Sequence, residues 1–383
     1  MAKRRVAILG STGSVGKNAL RLLEERLDRF DIALLAARAS VAELAAQCSV
    51  FRPEEACLAE PPDGRFELPA PTRLRIGEEG LIEALESCEP DVVLNAITGA
   101  AGLAASEWTL RNGLVLALAN KESLVMAGDH LTRLAARTGA TILPVDSEHC
   151  AIHQCLRGEK RSDVRRVFLT ASGGPFRNRP LETFASVTPQ EALRHPTWNM
   201  GPRITVGSAT MMNKAFEILE AHWLFGFSAE QIEVLIHPES IVHSIVEFVD
   251  GSMLAQTGLP DMRVPILYCL GWPERLPFDF SPFDYLRWRS LTFEPVDPRR
   301  FPAVPLAYDV LRLGGDSGAV MNGADEEMTR LFLMRTAPFP AITSVVGQVV
   351  RARSPRPAAA LADVLAADRE GRAAAARLCE NHR

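Results

Sequence analysis

The sequence has few cysteines, seven in 383 residues. No two of them form a Cys-x-x-Cys pair. An odd, scattered set indicates reduced thiols and therefore a cytoplasmic protein. No apolar run approaches the ~20 residues of a membrane span. The first apolar run already ends at Gly10. Basic clusters are also absent and the formal net charge is only −5, so neither a membrane nor a nucleic acid is an expected partner.

The chain is long enough for two or three domains, and its 47% hydrophobic and 23% charged residues are typical of a soluble globular protein. In residues 1–145, apolar runs without polar alternation are separated by helix-length segments: RVAILG, DIALLAA, DVVLNAI, LVLALAN and ATILPVD. This pattern predicts a doubly wound α/β domain with a parallel sheet covered on both faces, of Rossmann-like type.

Three further segments are predicted after that domain. Residues 146–272 combine polar loops, strands such as RRVFLTAS and one strong helix, ATMMNKAFEILEAHWLF, which indicates an α+β domain. Residues 273–305 are crowded with proline and are interpreted as an extended linker, because proline continues neither a helix nor a central strand. Residues 306–383 are rich in alanine and leucine and predict a C-terminal helical bundle.

A glycine turn stands between the first strand and the first helix. In VAILGSTGSVGKNALRLL, Gly10, Gly13 and Gly16 have a spacing related to the dinucleotide fingerprint. Glycines let the backbone approach a pyrophosphate, and the following helix presents N–H groups to it. The end of the second strand carries Arg38 and Ser40 but no acid, which favours NADP over NAD. A plain tight turn and a solvated arginine are the alternatives.

The stretch LPVDSEHCAIHQCL concentrates titratable side chains. Asp146, Glu148, His149 and His153 could bind a metal, relay a proton or simply occupy a strand-to-helix junction. The zinc-helix interpretation is weaker, because Glu148 precedes the first histidine instead of following it. If the strand continues to Glu148, the carboxylates of Asp146 and Glu148 point the same way. Oxygen ligands favour Mg²⁺ or Mn²⁺.

The strong helix offers a third acid and several phosphate donors. Asn213 and Glu217 share a helix face, Lys214 lies beside them, and Ser208 stands at the expected N-cap. An ordinary solvated face is the alternative. SGGPF, with Ser172 before a glycine pair, and HPTWNMG, with His195, Trp198 and Met200, suggest an anion-binding turn and a lid that excludes water.

These blocks together resemble one family. GSTGSVG, ANKESLV, LPVDSEH, SGGPFR, HPTWNMG, SATMMNK with Glu217, and LPDMR occur in the order found in 1-deoxy-D-xylulose 5-phosphate reductoisomerases, from Arg5 to the C-terminal helices. The resemblance implies a homodimer that uses NADPH and Mg²⁺ or Mn²⁺. It implies rearrangement of a sugar phosphate, 1-deoxy-D-xylulose 5-phosphate, followed by hydride reduction to 2-C-methyl-D-erythritol 4-phosphate for isoprenoid synthesis.

The resemblance also implies site residues. The cofactor would contact Gly10, Thr12, Gly13, Ser14, Val15, Arg38, Ala39, Ser40, Asn120, Glu122 and Gly201. The metal would be held by Asp146, Glu148 and Glu217. The substrate would contact Lys121, Ser147, Glu148, Ser172, His195, Trp198, Met200, Ser208, Asn213, Lys214, Glu217, Pro260 and Met262. Lys121, Asp146, Glu148 and His149 form the implied catalytic set, in which Lys121 adds positive charge where an oxyanion develops and His149 shapes the site.

The sequence departs from the family at three places. Gly207 stands where the family usually has aspartate, the adenosine loop reads Arg38-Ala39-Ser40, and MNGADEE carries Gly323 and Asp325 as substitutions. The last change is expected to affect packing more than chemistry.

Two other functions stay open at this point. A semialdehyde dehydrogenase type of NADP enzyme would need a nucleophilic cysteine, for which Cys150 and Cys155 are the candidates. A non-catalytic NADPH sensor would be consistent with Gly207. The intact acids and Lys121 argue against the sensor.

Overall fold

A computed structural model describes residues 3–64, 67–195, 200–358 and 360–380. The helices are α1 Ser14–Glu24, α2 Val41–Phe51, α3 Gly77–Cys88, α4 Leu103–Arg111, α5 Lys121–Thr138, α6 Ser147–Cys155, α7 Pro189–Ala192, α8 Pro202–Thr210, α9 Met212–Phe225, α10 Arg263–Gly271, α11 Ala303–Leu313, α12 Ser317–Leu333, α13 Ala341–Arg351 and α14 Leu361–Glu380. The strands are β1 Arg4–Leu9, β2 Phe30–Ala37, β3 Glu55–Leu58, β4 Arg73–Ile76, β5 Val92–Asn95, β6 Val115–Leu118, β7 Thr141–Pro144, β8 Val164–Ala171, β9 Ile232–Ile236, β10 Val242–Phe248, β11 Met253–Thr257 and β12 Glu294–Pro295. Within the described residues, no helix is long and apolar enough to cross a membrane.

The chain divides into two compact units. Unit 1 comprises residues 1–120, 131–146 and 261–279, and unit 2 comprises residues 121–130, 147–260 and 280–383. Each unit consists of three separate segments, and the segments of the two units alternate along the chain. The four-part division at residues 145, 272 and 305 therefore stays a prediction.

Unit 1 contains a seven-stranded parallel sheet in the order β4-β3-β2-β1-β5-β6-β7. Buried apolar side chains of β1, β2 and β5 fill its centre, which explains why these strands lack polar alternation. The predicted parallel α/β domain is confirmed. The two short strands β3 and β4 were not among the predicted ones, because four residues without a long apolar run give little sequence signal.

Unit 2 contains a mixed five-stranded sheet in the order β11-β10-β8-β9-β12. Strands β8 and β9 run parallel, whereas β10, β11 and β12 each pair antiparallel with a neighbour. Strand β12 lies within the proline-rich run and pairs at the sheet edge through Glu294–Pro295, where a proline needs no second partner strand. Helices α11–α14 form the predicted helical C-terminal region.

One predicted helix is divided in two. Met211 adopts the left-handed conformation, with φ 61° and ψ 14°, and separates α8 from α9. The expected N-cap role of Ser208 is therefore wrong, since Ser208 lies in the last turn of α8 and Met211 precedes α9. Gly207 likewise lies inside α8 and not at a helix start. Because methionine has no preference for this backbone conformation, the break could not be predicted from the residue type at this position.

Helices α12 and α14 approach each other at glycines. A Cβ atom at Gly323 would lie 1.9 Å from the carbonyl oxygen of Asp368, and one at Gly371 would lie 2.3 Å from that of Val320. Only glycine permits this backbone contact. The expectation that the MNGADEE substitutions concern packing has a physical basis at Gly323.

Gly323→Ala is expected to lower the free energy of unfolding by about 1 to 3 kcal/mol, because the added methyl group overpacks the contact between α12 and α14. Gly207→Ala is the matched control. Its nearest neighbour would be 3.5 Å away, and alanine in a helix interior should raise stability by about 0.5 to 1 kcal/mol. Urea unfolding followed by circular dichroism measures both changes. Wild-type stability in Gly323→Ala would contradict the packing argument.

Candidate active site

The glycine turn of unit 1 has the geometry of a phosphate-binding loop. Gly10 has φ +82°, and a Cβ atom there would lie 2.6 Å from the carbonyl oxygen of Ala96. A Cβ atom at Gly16 would lie 2.4 Å from the carbonyl oxygen of Gly10. Gly13 precedes α1 without a side-chain cap, and both Gly13 and Ser14 are exposed. The open N-terminus of α1 can therefore receive a dinucleotide pyrophosphate, with Thr12 and Val15 half-buried in the same turn.

The adenosine end of the predicted cofactor site contains an acid that sequence reasoning missed. Arg38, Ala39 and Ser40 follow β2 and are exposed. Arg38 Nε lies 2.6 Å from Glu60 Oε1, and Glu60 comes just after β3. The arginine is thus present for a 2′-phosphate but already pairs with a carboxylate. Glu60 lies beside Arg38 because β3 pairs with β2. The position of Glu60 in the sequence does not indicate this contact.

Asn120, the last residue of the first segment of unit 1, has a fixed side chain. Its Nδ2 donates to the carbonyl oxygens of Ile97 at 2.6 Å and Gly99 at 2.9 Å. The side chain is 1% exposed. It is held by backbone groups near the carboxyl end of β5, the edge where ligands bind in parallel sheets.

In unit 2, four buried or half-buried charged groups form a continuous chain. Lys121 Nζ lies 3.1 Å from Glu217 Oε1. Lys214 Nζ contacts Glu217 Oε2 and lies 3.1 Å from Glu148 Oε1. Two ammonium groups thus neutralise two carboxylates that burial would otherwise make costly. Helices α5, α6 and α9 each contribute to this cluster.

Hydrogen bonds from neutral groups fix the same carboxylates. Asn213 Nδ2 donates to Glu217 Oε1, and Ser147 Oγ donates to Glu148 Oε2, each at 2.5 Å. The Ser244 hydroxyl donates to the Glu148 carbonyl oxygen at 2.9 Å. The Glu148 carboxylate is therefore held at the start of α6.

The strand-end argument for Asp146 and Glu148 is wrong in its geometry. Strand β7 ends at Pro144 and α6 begins at Ser147, so Glu148 lies in the first turn of a helix. Asp146 lies in the connection and belongs to unit 1. Because extended backbone ends at Pro144 and α6 begins three residues later, the strand alternation that would point the carboxylates of Asp146 and Glu148 the same way does not reach Glu148.

Glu220 is a second acid that sequence reasoning missed. Its Oε2 lies 3.1 Å from His149 Nδ1, and both side chains are fully buried. His149 Nε2 lies 2.9 Å from the carbonyl oxygen of Glu217. The pair thus supports the backbone that carries Glu217, as expected for a residue that shapes the site. The i,i+3 spacing of Glu217 and Glu220 on one helix was the sequence feature that could have identified Glu220 as a neighbour of the site.

His195 joins two predicted phosphate-binding serines. Its Nε2 lies 3.2 Å from Ser172 Oγ and 3.0 Å from Ser208 Oγ. The glycine pair after Ser172 makes this approach possible, because a Cβ atom at Gly174 would lie 2.8 Å from the Ser208 carbonyl oxygen. Burial lowers the pKa of His195 to about 4. The imidazole is therefore neutral near pH 7 and can donate one N–H.

The other predicted contacts are less defined. Met200 and Met262 are half-buried, Gly201 is exposed and precedes α8, and Pro260 ends a stretch of unit 2. Trp198 lies outside the described residues. Cys150 and Cys155 are buried, and burial raises the pKa of Cys155 to about 11. A neutral thiol is a poor nucleophile, which disfavours the semialdehyde dehydrogenase alternative.

The chain is similar to one known family over most of its length. Residues 6–128 match the model of 1-deoxy-D-xylulose 5-phosphate reductoisomerase, and residues 142–225 and 257–374 match models of its C-terminal domain. Relatives named as that enzyme in Anaeromyxobacter sp. (strain K) and Xanthomonas euvesicatoria pv. vesicatoria are each 47% identical. The matches cover 96% and 99% of this chain, and 95% and 98% of the relatives.

Two solved structures are also similar. The Zymomonas mobilis reductoisomerase in complex with NADPH has a TM-score of 0.90 and 40% identity, and the match covers 99% of this chain and 100% of that chain. A reductoisomerase in complex with NADPH, fosmidomycin and magnesium has a TM-score of 0.91 and 35% identity, with 98% of both chains covered.

The protonation of His195 provides a test of the predicted phosphate site. In the ligand-free protein, the imidazole should titrate well below its ordinary value near 6.5. Inorganic phosphate should raise this pKa by about 1 to 3 units, because a nearby anion stabilises the imidazolium. NMR of labelled histidine measures both values, with chloride at equal ionic strength as the control. A pKa near 6.5, or no response to phosphate, would contradict the assignment.

Proposed function

The chain belongs to the 1-deoxy-D-xylulose 5-phosphate reductoisomerase family, and we propose that it converts 1-deoxy-D-xylulose 5-phosphate to 2-C-methyl-D-erythritol 4-phosphate with NADPH. The observation that carries this function is the buried chain of Lys121, Glu217, Lys214 and Glu148. It places carboxylates for a divalent cation beside ammonium groups for an anionic substrate. The product serves isoprenoid synthesis.

We propose that Asp146, Glu148 and Glu217 hold Mg²⁺ or Mn²⁺. Glu148 and Glu217 fit such an ion because their carboxylates share the Nζ donor of Lys214 and are thus close together. Magnesium usually takes one or two carboxylates and completes its shell with water and substrate oxygens. Asp146, two residues before Glu148, adds a third carboxylate.

When bound, NADPH supplies the hydride and the cation polarises substrate oxygens; the protein's own residues do the rest. Lys121, 5% exposed, keeps a positive charge beside Glu217, where an oxyanion of the substrate is stabilised. Ser147, whose hydroxyl donates to Glu148 Oε2, is proposed to contact the substrate hydroxyl groups. Burial of these charges strengthens their interactions with the reacting atoms.

The phosphate of the substrate is assigned to Ser172, Ser208 and His195, together with Asn213 and Lys214. The two hydroxyl groups already converge on His195. A grip on a remote phosphate provides binding energy that holds both fragments during the rearrangement. Met200, Trp198 and Met262 are proposed to exclude water from the carbon chain.

NADPH is assigned to the glycine turn, to Arg38, Ala39 and Ser40, and to Asn120, Glu122 and Gly201. The backbone contacts at Gly10 and Gly16 support the pyrophosphate assignment. Arg38 supports the preference for a 2′-phosphate, although its ion pair with Glu60 must yield to that group.

The cytoplasm is the proposed location. The seven cysteines, all within the described residues, are buried thiols that form no disulfide, as is usual for proteins of a reducing compartment.

A homodimer is proposed on the basis of an exposed sheet edge. Strand β11 ends the order of the unit 2 sheet, and its Met253 and Leu254 are 56% and 44% exposed. Val249, in the turn before it, is 66% exposed. Exposed apolar edge strands pair with another chain unless they are protected, and a two-fold axis would bury the same surface on both copies.

Leu254→Arg is expected to convert the dimer to a monomer, since it places a charge in the buried interface. Light scattering after gel filtration measures the mass. Leu313→Arg is the control, because Leu313 is also an exposed leucine, at 38%, but lies at the end of α11. A wild-type monomer, or equal behaviour of both variants, would contradict the proposed interface.

Turnover tests the function directly. The purified protein should oxidise NADPH with 1-deoxy-D-xylulose 5-phosphate only when Mg²⁺ or Mn²⁺ is present. Glu217→Gln should lower kcat/KM at least about 100-fold, because a ligand charge and the partner of two lysines are lost. The product is identified by mass spectrometry. Metal-independent oxidation, or no product despite NADPH binding, would contradict the proposal.

A further inference from the structure

Arg203, in the first turn of α8, joins two other helices of unit 2. Its Nη1 lies 2.7 Å from Glu122 Oε1 on α5 and 2.8 Å from Glu326 Oε1 on α12. Its Nη2 donates to Asn322 Oδ1 at 3.0 Å. The Arg203 side chain is 20% exposed and that of Glu122 is 10% exposed. Ion pairs with this little solvent hold their geometry better than surface pairs.

The α12 side of this connection is itself fixed by α14. Glu326 also accepts a hydrogen bond from Arg372, and Asn322 Nδ2 donates to Asp368 Oδ1 at 2.6 Å. The close backbone contact at Gly323 lies between these residues. Arg203 is therefore anchored on a pair of tightly packed helices.

The α5 side of the connection ends next to the active site. Glu122 is the second residue of α5, and Lys121 is the first. Lys121 Nζ lies 3.1 Å from Glu217. The four residues of α5 after Lys121, residues 122–125, are all at most 8% exposed, so a displacement of Glu122 carries Lys121 with it.

We infer that Arg203 is a positioning residue for Lys121: it ties the first turn of α5 to the α12–α14 pair and thereby holds the Lys121 ammonium beside Glu217. Arg203 itself touches none of the proposed metal or phosphate ligands in the described contacts. Its effect on turnover rests on the proposed function, whereas the tie between the helices does not.

Asp325 gives the connection a further feature. Its Oδ2 lies 3.8 Å from Arg203 Nη2, and burial raises the pKa of Asp325 to about 7. The substitution in MNGADEE therefore places a third carboxyl group beside the Arg203 guanidinium, after those of Glu122 and Glu326. A planar guanidinium with several donors can serve these partners together, whereas a lysine ammonium has a single nitrogen.

Hydrogen exchange of the ligand-free protein tests the tie. In Arg203→Met, the amides of residues 121–127 should exchange at least about fivefold faster, because the first turn of α5 loses its anchor. Arg330→Met is the matched control, since it removes another arginine of unit 2 that pairs on α12 with Glu327 at 2.6 Å. Exchange in Arg203→Met equal to that of wild type and control would overturn the inference.

Kinetics test the consequence. Arg203→Met should lower kcat about 10- to 100-fold through a misplaced Lys121, and Arg203→Lys should recover part of the loss. Glu326→Gln breaks the same tie from the α12 side and covers the case in which Arg203→Met does not fold. The double variant should be no slower than the slower single variant, because both act through one contact. Losses that multiply would overturn the inference. If the wild-type protein shows no turnover, the proposed function fails and the exchange result still decides the tie.

Discussion

The candidate site depends on the neutralisation of two carboxylates inside unit 2. Glu217 is 1% exposed and Lys214 is 3% exposed, and neither charge could be buried alone without a penalty of several kcal/mol. Lys214 contacts Glu148 and the Oε2 atom of Glu217, and Lys121 contacts the other carboxylate oxygen of Glu217, Oε1. The helices that carry these residues are positioned by this compensation. When a divalent cation binds the carboxylates and an anionic substrate binds the ammonium groups, these ligands can replace the ion pairs between the carboxylates and the lysines.

The surrounding structure keeps this cluster in place by different means. The left-handed residue Met211 separates α8 from α9, which lets Ser208 reach His195 while Asn213 reaches Glu217. Buried Glu220 and His149 support the backbone of Glu217. Apart from His195, which lies in the connection between α7 and α8, the residues of these contacts lie on helices. Groups held by packed helices keep more accurate geometry than groups on loops.

Much of the fold could be predicted from local sequence. Long apolar runs predicted five strands of the unit 1 sheet, and the glycine turn predicted the start of α1. The short strands β3 and β4 and the break at Met211 were missed, since β3 and β4 lie in no long apolar run and a methionine carries no distinctive local pattern. In these cases tertiary packing decides the conformation, and local propensity does not.

The site residues also divide into those that the sequence motifs indicated and those that they did not. Motifs around Lys121, Glu148, Ser172 and Lys214 were visible because their residues are unusual for their positions. Glu60, Arg203 and Glu220 were not visible, because a charged residue in a helix or after a strand normally faces solvent. Their partners are far away in the sequence or on another element, so only the three-dimensional structure identifies them.

Binding of Mn²⁺ to the protein without cofactor or substrate tests the central claim most directly. Electron paramagnetic resonance measures free Mn²⁺ during a titration. The wild-type protein should bind one ion, Glu217→Gln should bind it at least about tenfold more weakly, and Glu230→Gln, a change at an exposed acid, should bind like wild type. Equal binding by all three proteins would contradict the assignment of the buried carboxylates to a metal.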